Sequence, residues 1–283
     1  MVRTEGDRLR RVVVCAPRHE YFQVENPERH NIGEAADPAK AAAQHRKLRA
    51  VLRNSGARVI NLRELAGHPN SVFARDAGLV TPVGYIKLRM GLRTRRGEED
   101  WMASALDSLG VPCAGKIEKP GTVEGGDVIV AGEVAFVGLS ERTNRSGVGQ
   151  LSRLLMGMGL EVRALSLPLP HLHIGGAMSI IGPETVVCCR RIFPDGFFDG
   201  FEVVEIPCPE DSSANVIALG NDGVIVEKGC PGTARALQKA GFTVHRVDLS
   251  EFVKGRGGPT CLIMPVDRWE PGEKRSQLKP KSR

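Results

Sequence analysis

Cys261 stands where a chain could hold a nucleophile. It follows the bend Gly255-Arg256-Gly257-Gly258-Pro259 and precedes the apolar residues Leu262-Ile263-Met264. Glycines there let the backbone turn sharply and let a ligand approach. The apolar run predicts a buried strand with Cys261 at its head. A thiol attacks as thiolate, so it needs a partner that positions and moves protons. His173, in His171-Leu172-His173-Ile174-Gly175-Gly176, is such a group near neutral pH. His171 competes with it, because alternation puts both imidazoles on one side of a strand. A carboxylate must then orient His173 or hold a proton on it, and Glu124, in Glu124-Gly125-Gly126-Asp127, supplies one. Asp76 lies in Phe73-Ala74-Arg75-Asp76-Ala77-Gly78, at the entry to an apolar strand, where an acid is costly unless paired. A bound guanidinium would pair it with two parallel hydrogen bonds; an arginine of the chain, such as Arg75, would serve structurally. Arg142, in Ser140-Glu141-Arg142-Thr143, and Arg256 are suited to clamp a ligand carboxylate. Each residue also has an ordinary reading as packed thiol, solvated loop acid or surface charge. What favours chemistry is their convergence in the fold that the rest of the chain implies.

That fold is read from a repeat. The chain opens with a strand at Arg11–Cys15, a helix over Pro38–Asn54 with Ala41, Ala42, His45, Leu48, Val51 and Leu52 at helical spacing, and a strand over Ala57–Leu62. Two short strands, a helix and a strand then recur. The second unit has strands at Ala77–Val80 and Tyr85–Leu88, a helix at Glu98–Leu109 and a strand near Val111. The third has Asp127–Val130, Val134–Val137, a helix at Arg145–Met158 and Glu161–Leu165. The fourth has Ala177–Ile181, Thr185–Cys188, a short link near Ile192 and Glu202–Ile206. The fifth has Asn215–Leu219, Val224–Val226, a helix at Thr233–Ala240 and Thr243–Val247. The strands left over at the two ends, Arg11–Val14 and Cys261–Met264, complete the first unit when paired. This predicts an α/β fold, a five-bladed ββαβ propeller with pseudo-fivefold symmetry, as a single catalytic domain over residues 1–266. Its first strands start around one axis. Asp76, Glu124, Asp127, His173, Asn215 and Cys261 all fall at those starts.

The totals narrow the class. The chain has 283 residues, 41% hydrophobic and 25% charged, which describes a globular protein. It has no apolar run of the roughly 18 to 20 residues that would span a bilayer. The first residues carry no signal-peptide pattern, so a cytoplasmic protein without a membrane partner is expected. The seven cysteines form no framework and no CxxC pair, and reduced thiols and no structural zinc are expected. The net charge is +6, and residues 267–283 hold six Lys/Arg against three Asp/Glu, a basic C-terminal tail. With 5% aromatics and no basic-aromatic interleaving, nucleic acid is not an expected partner.

From about Arg10 to Val266 the sequence resembles the guanidino-group-modifying, or pentein, family of arginine deiminases, dimethylarginine dimethylaminohydrolases and amidinotransferases. The resemblance rests on Phe73-Ala74-Arg75-Asp76, Glu124-Gly125-Gly126-Asp127, Ser140-Glu141-Arg142-Thr143 and Arg256-Gly257-Gly258-Pro259-Thr260-Cys261. It implies the same five-bladed fold, a small guanidino substrate (arginine or a methylated arginine), no metal and no organic cofactor. It implies that Cys261 attacks the guanidinium carbon through a covalent thiouronium, with His173 as acid and base and Glu124 as its partner. Asp76, Arg142, Arg256, Phe73 and Asp127 would line the substrate. Arginine deiminases carry an acid two residues after the catalytic histidine, where this chain has Gly175, and an extra helical domain for which it has no room. Both departures favour an N-substituted guanidine. Against that, Arg75 stands where dimethylarginine enzymes often have a glutamate. Arginine deiminase and amidinotransferase chemistry remain alternatives, as does a non-catalytic binder on the same scaffold, like the ribosome-binding initiation factor of this architecture. A homodimer is compatible with the sequence. Arg89, Arg93, Arg95 and Arg96 crowd one segment from which a further ligand contact is expected.

Overall fold

A computed structural model describes residues 1–169, 171–207 and 213–269. The strands group into five three-stranded sheets of one design. The first unit contains β1 (Leu9–Cys15), α1 (Pro38–Asn54) and β2 (Arg58–Leu62). The second has β3 (Leu79–Thr81), β4 (Gly84–Lys87), α2 (Glu98–Ser108) and β5 (Cys113–Lys116). The third has β6 (Val128–Ala131), β7 (Val134–Leu139), α3 (Arg145–Gly157) and β8 (Glu161–Ser166). The fourth has the one-turn α4 (Ile174–Ala177), β9 (Met178–Gly182), β10 (Thr185–Cys188) and β11 (Glu202–Glu205). The fifth has β12 (Ile217–Gly220), β13 (Gly223–Glu227), α5 (Pro231–Lys239) and β14 (Thr243–Val247). One-turn α6 (Ser250–Val253) then leads to β15 (Ile263–Arg268), which pairs antiparallel with β1 and supplies the strand missing from the first unit. In every sheet the middle strand is antiparallel to the first and parallel to the third.

Burial explains why the pattern is legible. The first strands β3, β6 and β9 are buried at every residue, so they read as mainly apolar runs, with Thr81 and Ser179 the buried polar exceptions. The third strands β2, β5 and β8 have no fully buried residue and mix polar with apolar side chains. α1 starts where Asp37 accepts the amide of Lys40 at 2.8 Å and Pro38 opens the first turn. It buries Ala41, His45, Leu48 and Leu52 along one stripe.

Four expectations need correction. Cys261 does not head a strand: Thr260–Leu262 form a one-turn 3-10 helix and the strand begins at Ile263. Asp76 and Asp127 likewise lie on short turns, Ala74–Ala77 and Gly125–Asp127. The strand β15 reaches Arg268, two residues into the expected tail, and residues 270–283 lie outside the described residues. Cys189 is disulfide-bonded, against the expectation of reduced thiols throughout. The fourth unit, as expected, has no long helix. Phe193, Phe197 and Phe198 instead pack on Phe136 and on one another, covering the sheet with rings where other units use a helix.

Candidate active site

Four short turns, each leading into the first strand of a unit, meet at one end of the molecule: Ala74–Ala77, Gly125–Asp127, Ile174–Ala177 and Thr260–Leu262. The chemistry-bearing residues sit on or beside them. A cavity of about 520 Å³ opens at this end, with Cys261, His173, Asn215 and Arg75 in its wall and Arg256 at its rim. A narrower recess continues from Cys261 and His173 to Asp76, Phe73 and Arg142.

His173 lies between two carboxylates. Its Nε2 is 3.0 Å from Glu124 Oε2, and its Nδ1 is 3.8 Å from Asp76 Oδ1. Burial alone would lower its pKa, but Asp76, Asp127 and Glu124 outweigh burial and raise it to about 9. The imidazole is therefore charged at neutral pH, with both nitrogens as donors. Glu124 is fully buried. It accepts the amides of Gly91 and Leu92 at 3.1 and 3.0 Å, and Arg142 Nη1 stands 3.4 Å from both its oxygens. Burial pushes this carboxyl up, but His173, Arg142 and Arg95 together hold it well below the usual carboxylate range. Asp127 is also fully buried, and both its oxygens are engaged, with the amide of Ile174 at 3.1 Å and the hydroxyl of Ser140 at 2.6 Å. It secures the turn that presents His173 instead of lining the cavity. Burial raises its pKa to about 6.

Asp76 already has a guanidinium, and it is neither a ligand's nor that of Arg75. Arg95 Nη1 donates to its Oδ2 at 2.5 Å, while the amide of Gly126 donates to Oδ1 at 3.1 Å. Arg95 also donates to Glu98 at 2.9 and 2.6 Å and to the Phe73 carbonyl at 3.0 Å. It is thus a fixed part of the wall. Burial would lower its pKa, but Glu98, Asp76 and Glu124 raise it. Glu98 itself is raised to about 7 by burial. Gly126 has no room for a side chain: an added Cβ would lie 2.7 Å from both Asp76 Oδ1 and His173 Nδ1.

Cys261 is held more loosely. Asn215 Nδ2 lies 3.7 Å from its sulfur and 3.1 Å from the Gly175 carbonyl, while Asn215 Oδ1 accepts from the amide and hydroxyl of Thr260 at 2.7 and 2.9 Å. Burial, then Asp76, push the thiol up to about 11, against smaller opposing effects of the Gly258 backbone, Asn215 and Arg75. The residue is therefore a neutral thiol when no ligand is bound. Phe73 is buried with its ring under the glycine bend. A Cβ on Gly257 would meet that ring at 2.1 Å, which fixes glycine at this position. Arg142 is turned to Glu124, and Arg256 is exposed with Nη1 on Asn31 Oδ1 at 3.0 Å and a left-handed φ of 61°. His171 also lines the cavity, farther out than His173.

Asp76, Glu124 and His173 offer ligand atoms within 4.8 Å of one another, a spacing a metal ion could use. Arg95 and Arg142 already bring two buried cations to the same carboxylates, which opposes a third positive charge. Arg95 and Asn215 were not assigned roles from sequence. Their signals were present, as a crowded arginine segment and an Asn at the start of a first strand, but their partners lie 19 and 46 residues away. No helix among the described residues is long and apolar enough to cross a membrane.

The fold and this arrangement have known counterparts. The structure superposes with a TM-score of 0.80 on a dimethylarginine dimethylaminohydrolase of Pseudomonas aeruginosa, solved with citrulline, at 27% identity over 91% of this chain and 99% of that one. Five such sheets with this site define an enzyme of the pentein superfamily, a hydrolase acting on C–N bonds of amidines. The profile of the family described as N,N dimethylarginine dimethylhydrolase, eukaryotic, matches residues 23–268, and the chain belongs to that family. The relatives that bear the name N(G),N(G)-dimethylarginine dimethylaminohydrolase include two with identities above 30%. The one from Pseudomonas aeruginosa is 31% identical over 81% of this chain and 89% of its own length. The one from Streptomyces coelicolor is 33% identical over 69% and 73%.

Proposed function

We propose that the protein hydrolyses an N-methylated arginine to citrulline and the methylamine, on five units that close into a propeller around the site. The observation that carries this reading is His173 held between Glu124 and Asp76 on the cavity that also exposes Cys261. The substrate guanidinium binds at Asp76 Oδ1, whose Oδ2 is already taken by Arg95. A cation beside Cys261 lowers the cost of charging its sulfur, so ligand binding creates the thiolate and releases a proton to solvent. The thiolate attacks the guanidinium carbon, forming an S–C bond. His173 passes its Nδ1 proton to the leaving amine as the C–N bond breaks, while Glu124 keeps the ring in register through Nε2. The resulting thiouronium takes up water, whose proton returns to His173. Loss of the thiolate then leaves the ureido product. Arg142 and Arg256 stand within the cavity walls to meet the α-carboxylate.

Gly175 favours methylated over free arginine. The residue two positions after His173 is Gly175, so that position offers no acid to grip an unsubstituted terminal nitrogen, and the cavity wall there is glycine. The test is product analysis by mass spectrometry, with asymmetric dimethylarginine and arginine offered separately. Citrulline should form faster from the methylated compound, and Cys261→Ser should lose turnover by at least about 10³-fold. Equal or faster citrulline formation from arginine would overturn the substrate assignment, and full activity of Cys261→Ser would overturn the mechanism.

A further inference from the structure

The wall of the cavity has a second side. Arg75, Gly126, Gly175 and Thr260 border both the cavity with Cys261 and a small axial void of about 20 Å³ that Glu5 and Arg268 close from behind. The N-terminal stretch reaches there by pairing with the first strand of the third unit. The amide of Glu5 donates to the Val130 carbonyl at 2.8 Å, the amide of Gly132 donates to the Arg3 carbonyl at 3.1 Å, and Thr4 bridges Ala131. This presents Glu5 to the guanidinium of Arg75. Nη1 donates to Oε2 at 3.0 Å and Nη2 to Oε1 at 2.6 Å, in a two-pronged pair with side chains only 8% and 13% exposed. Arg75 is further anchored on the carbonyls of Gly125 at 3.1 Å and Val128 at 2.6 Å. It therefore cannot swing away from the cavity.

An immobile cation beside a pocket for a cationic guanidine would repel the ligand unless it were neutralised. We propose that Glu5 is a positioning residue for the active site: by pairing with Arg75 from the far side of the wall, it sets the charge that Arg75 presents to Cys261 and to a cationic ligand. The ligand half of this statement rests on the guanidine reading above; the Cys261 half does not. The charged groups around Arg75 are Glu5, Asp76 and Arg268, with the titratable thiol of Cys261. Those around Cys261 are Asp76 and Arg75, with His173 and Arg256 on the same cavity. Arg75 lowers the Cys261 pKa, so an unneutralised Arg75 should lower it further. Arg268 does not substitute for Glu5, being a second buried cation held by the carbonyls of Asp7 and Ala218 at 2.7 and 2.8 Å.

The test uses Glu5→Gln, which keeps the shape and removes the charge. Alkylation of Cys261 by iodoacetamide is followed across pH by mass spectrometry of its peptide. The half-maximum should move to lower pH by about one unit, an effect of charge that loosened packing would not mimic. In the Cys261→Ser background, calorimetry then compares arginine, a cation, with citrulline, its neutral counterpart. Glu5→Gln should weaken arginine about tenfold and leave citrulline within about twofold. An unmoved alkylation profile, or equal weakening of both ligands, would overturn the proposal. If neither ligand binds to Cys261→Ser, the guanidine reading falls, and the alkylation profile alone decides the role of Glu5. Should Glu5→Gln fail to fold, Glu5→Asp retains the charge at a greater distance. It should shift the profile in the same direction by less, and an unmoved profile in that variant counts against the proposal.

Discussion

The two halves of the site are built to different degrees. Around Glu124 both carboxylate oxygens are committed: two backbone amides, Arg142 and His173 Nε2 converge on one buried carboxylate, and Asp127 pins the turn beneath. Around Cys261 the support is thin: the Gly258 backbone, a long approach of Asn215 at 3.7 Å, and Arg75, whose guanidinium is tied back to Glu5. The first half is charged before any ligand arrives, with His173 raised to about 9, while the second is neutral, with the thiol raised to about 11. The difference teaches where activation comes from. The proton donor is prepared by the fold, and the nucleophile waits for charge brought by the substrate.

This contrast can be broken most severely at Glu124. Glu124→Gln removes one of the three carboxylate charges that hold His173 protonated, after Asp76 and Asp127, and leaves Arg142 without its carboxylate partner. We expect kcat to fall by about 10³-fold. Because a carboxylate raises the imidazole pKa, its loss should move the basic limb of the kcat profile, set by His173 near 9, to lower pH. An unshifted limb would show that another group carries the proton.

A smaller effect is expected from Gly126→Ala, which wedges a methyl 2.7 Å from both Asp76 Oδ1 and His173 Nδ1. The two halves would be forced apart by a fraction of an ångström, at a cost of about 10²-fold in kcat. Alkylation of Cys261 near pH 11 should stay intact, which steady-state kinetics and thiol labelling on the same sample can check.

The mildest test lies outside the site. His45 is buried under α1 against Phe252 with neither ring nitrogen hydrogen-bonded, and burial, then Arg49, lower its pKa to about 3. The unfolded chain binds a proton at this position below its ordinary value of 6.5 and the folded chain does not. Stability should therefore be lost as pH falls from 6.5 toward about 3. His45→Leu should flatten that part of the melting-temperature profile relative to wild type. Identical profiles for the two would contradict the unprotonated burial of His45.

Much of the scaffold was legible in the sequence, because its first strands are buried on both faces and α1 has a regular apolar stripe between Pro38 and Asn54. The cysteine, histidine and acids were legible as residue types at the starts of those strands. Their local conformation was not: turns of three or four residues, such as Thr260–Leu262, are too short to show a period. Nor were the partners. Asp76 with Arg95 and Arg75 with Glu5 join residues 19 and 70 positions apart, and such pairing is decided by how units pack. Sequence proximity favoured Arg75 for Asp76, but the Arg75 side chain leaves through the wall toward Glu5. The fourth unit shows the same limit, since a cluster of phenylalanines does there what helices do elsewhere.

The central claim, a prepared acid and an unprepared nucleophile, is tested most directly by the pH dependence of Cys261 alkylation in the ligand-free wild-type protein, resolved from Cys113 and Cys230 by peptide mass spectrometry. The account predicts a half-maximum near pH 11. A plateau reached by about pH 8, below the ordinary thiol value, would mean that the fold itself supplies the thiolate and would contradict it.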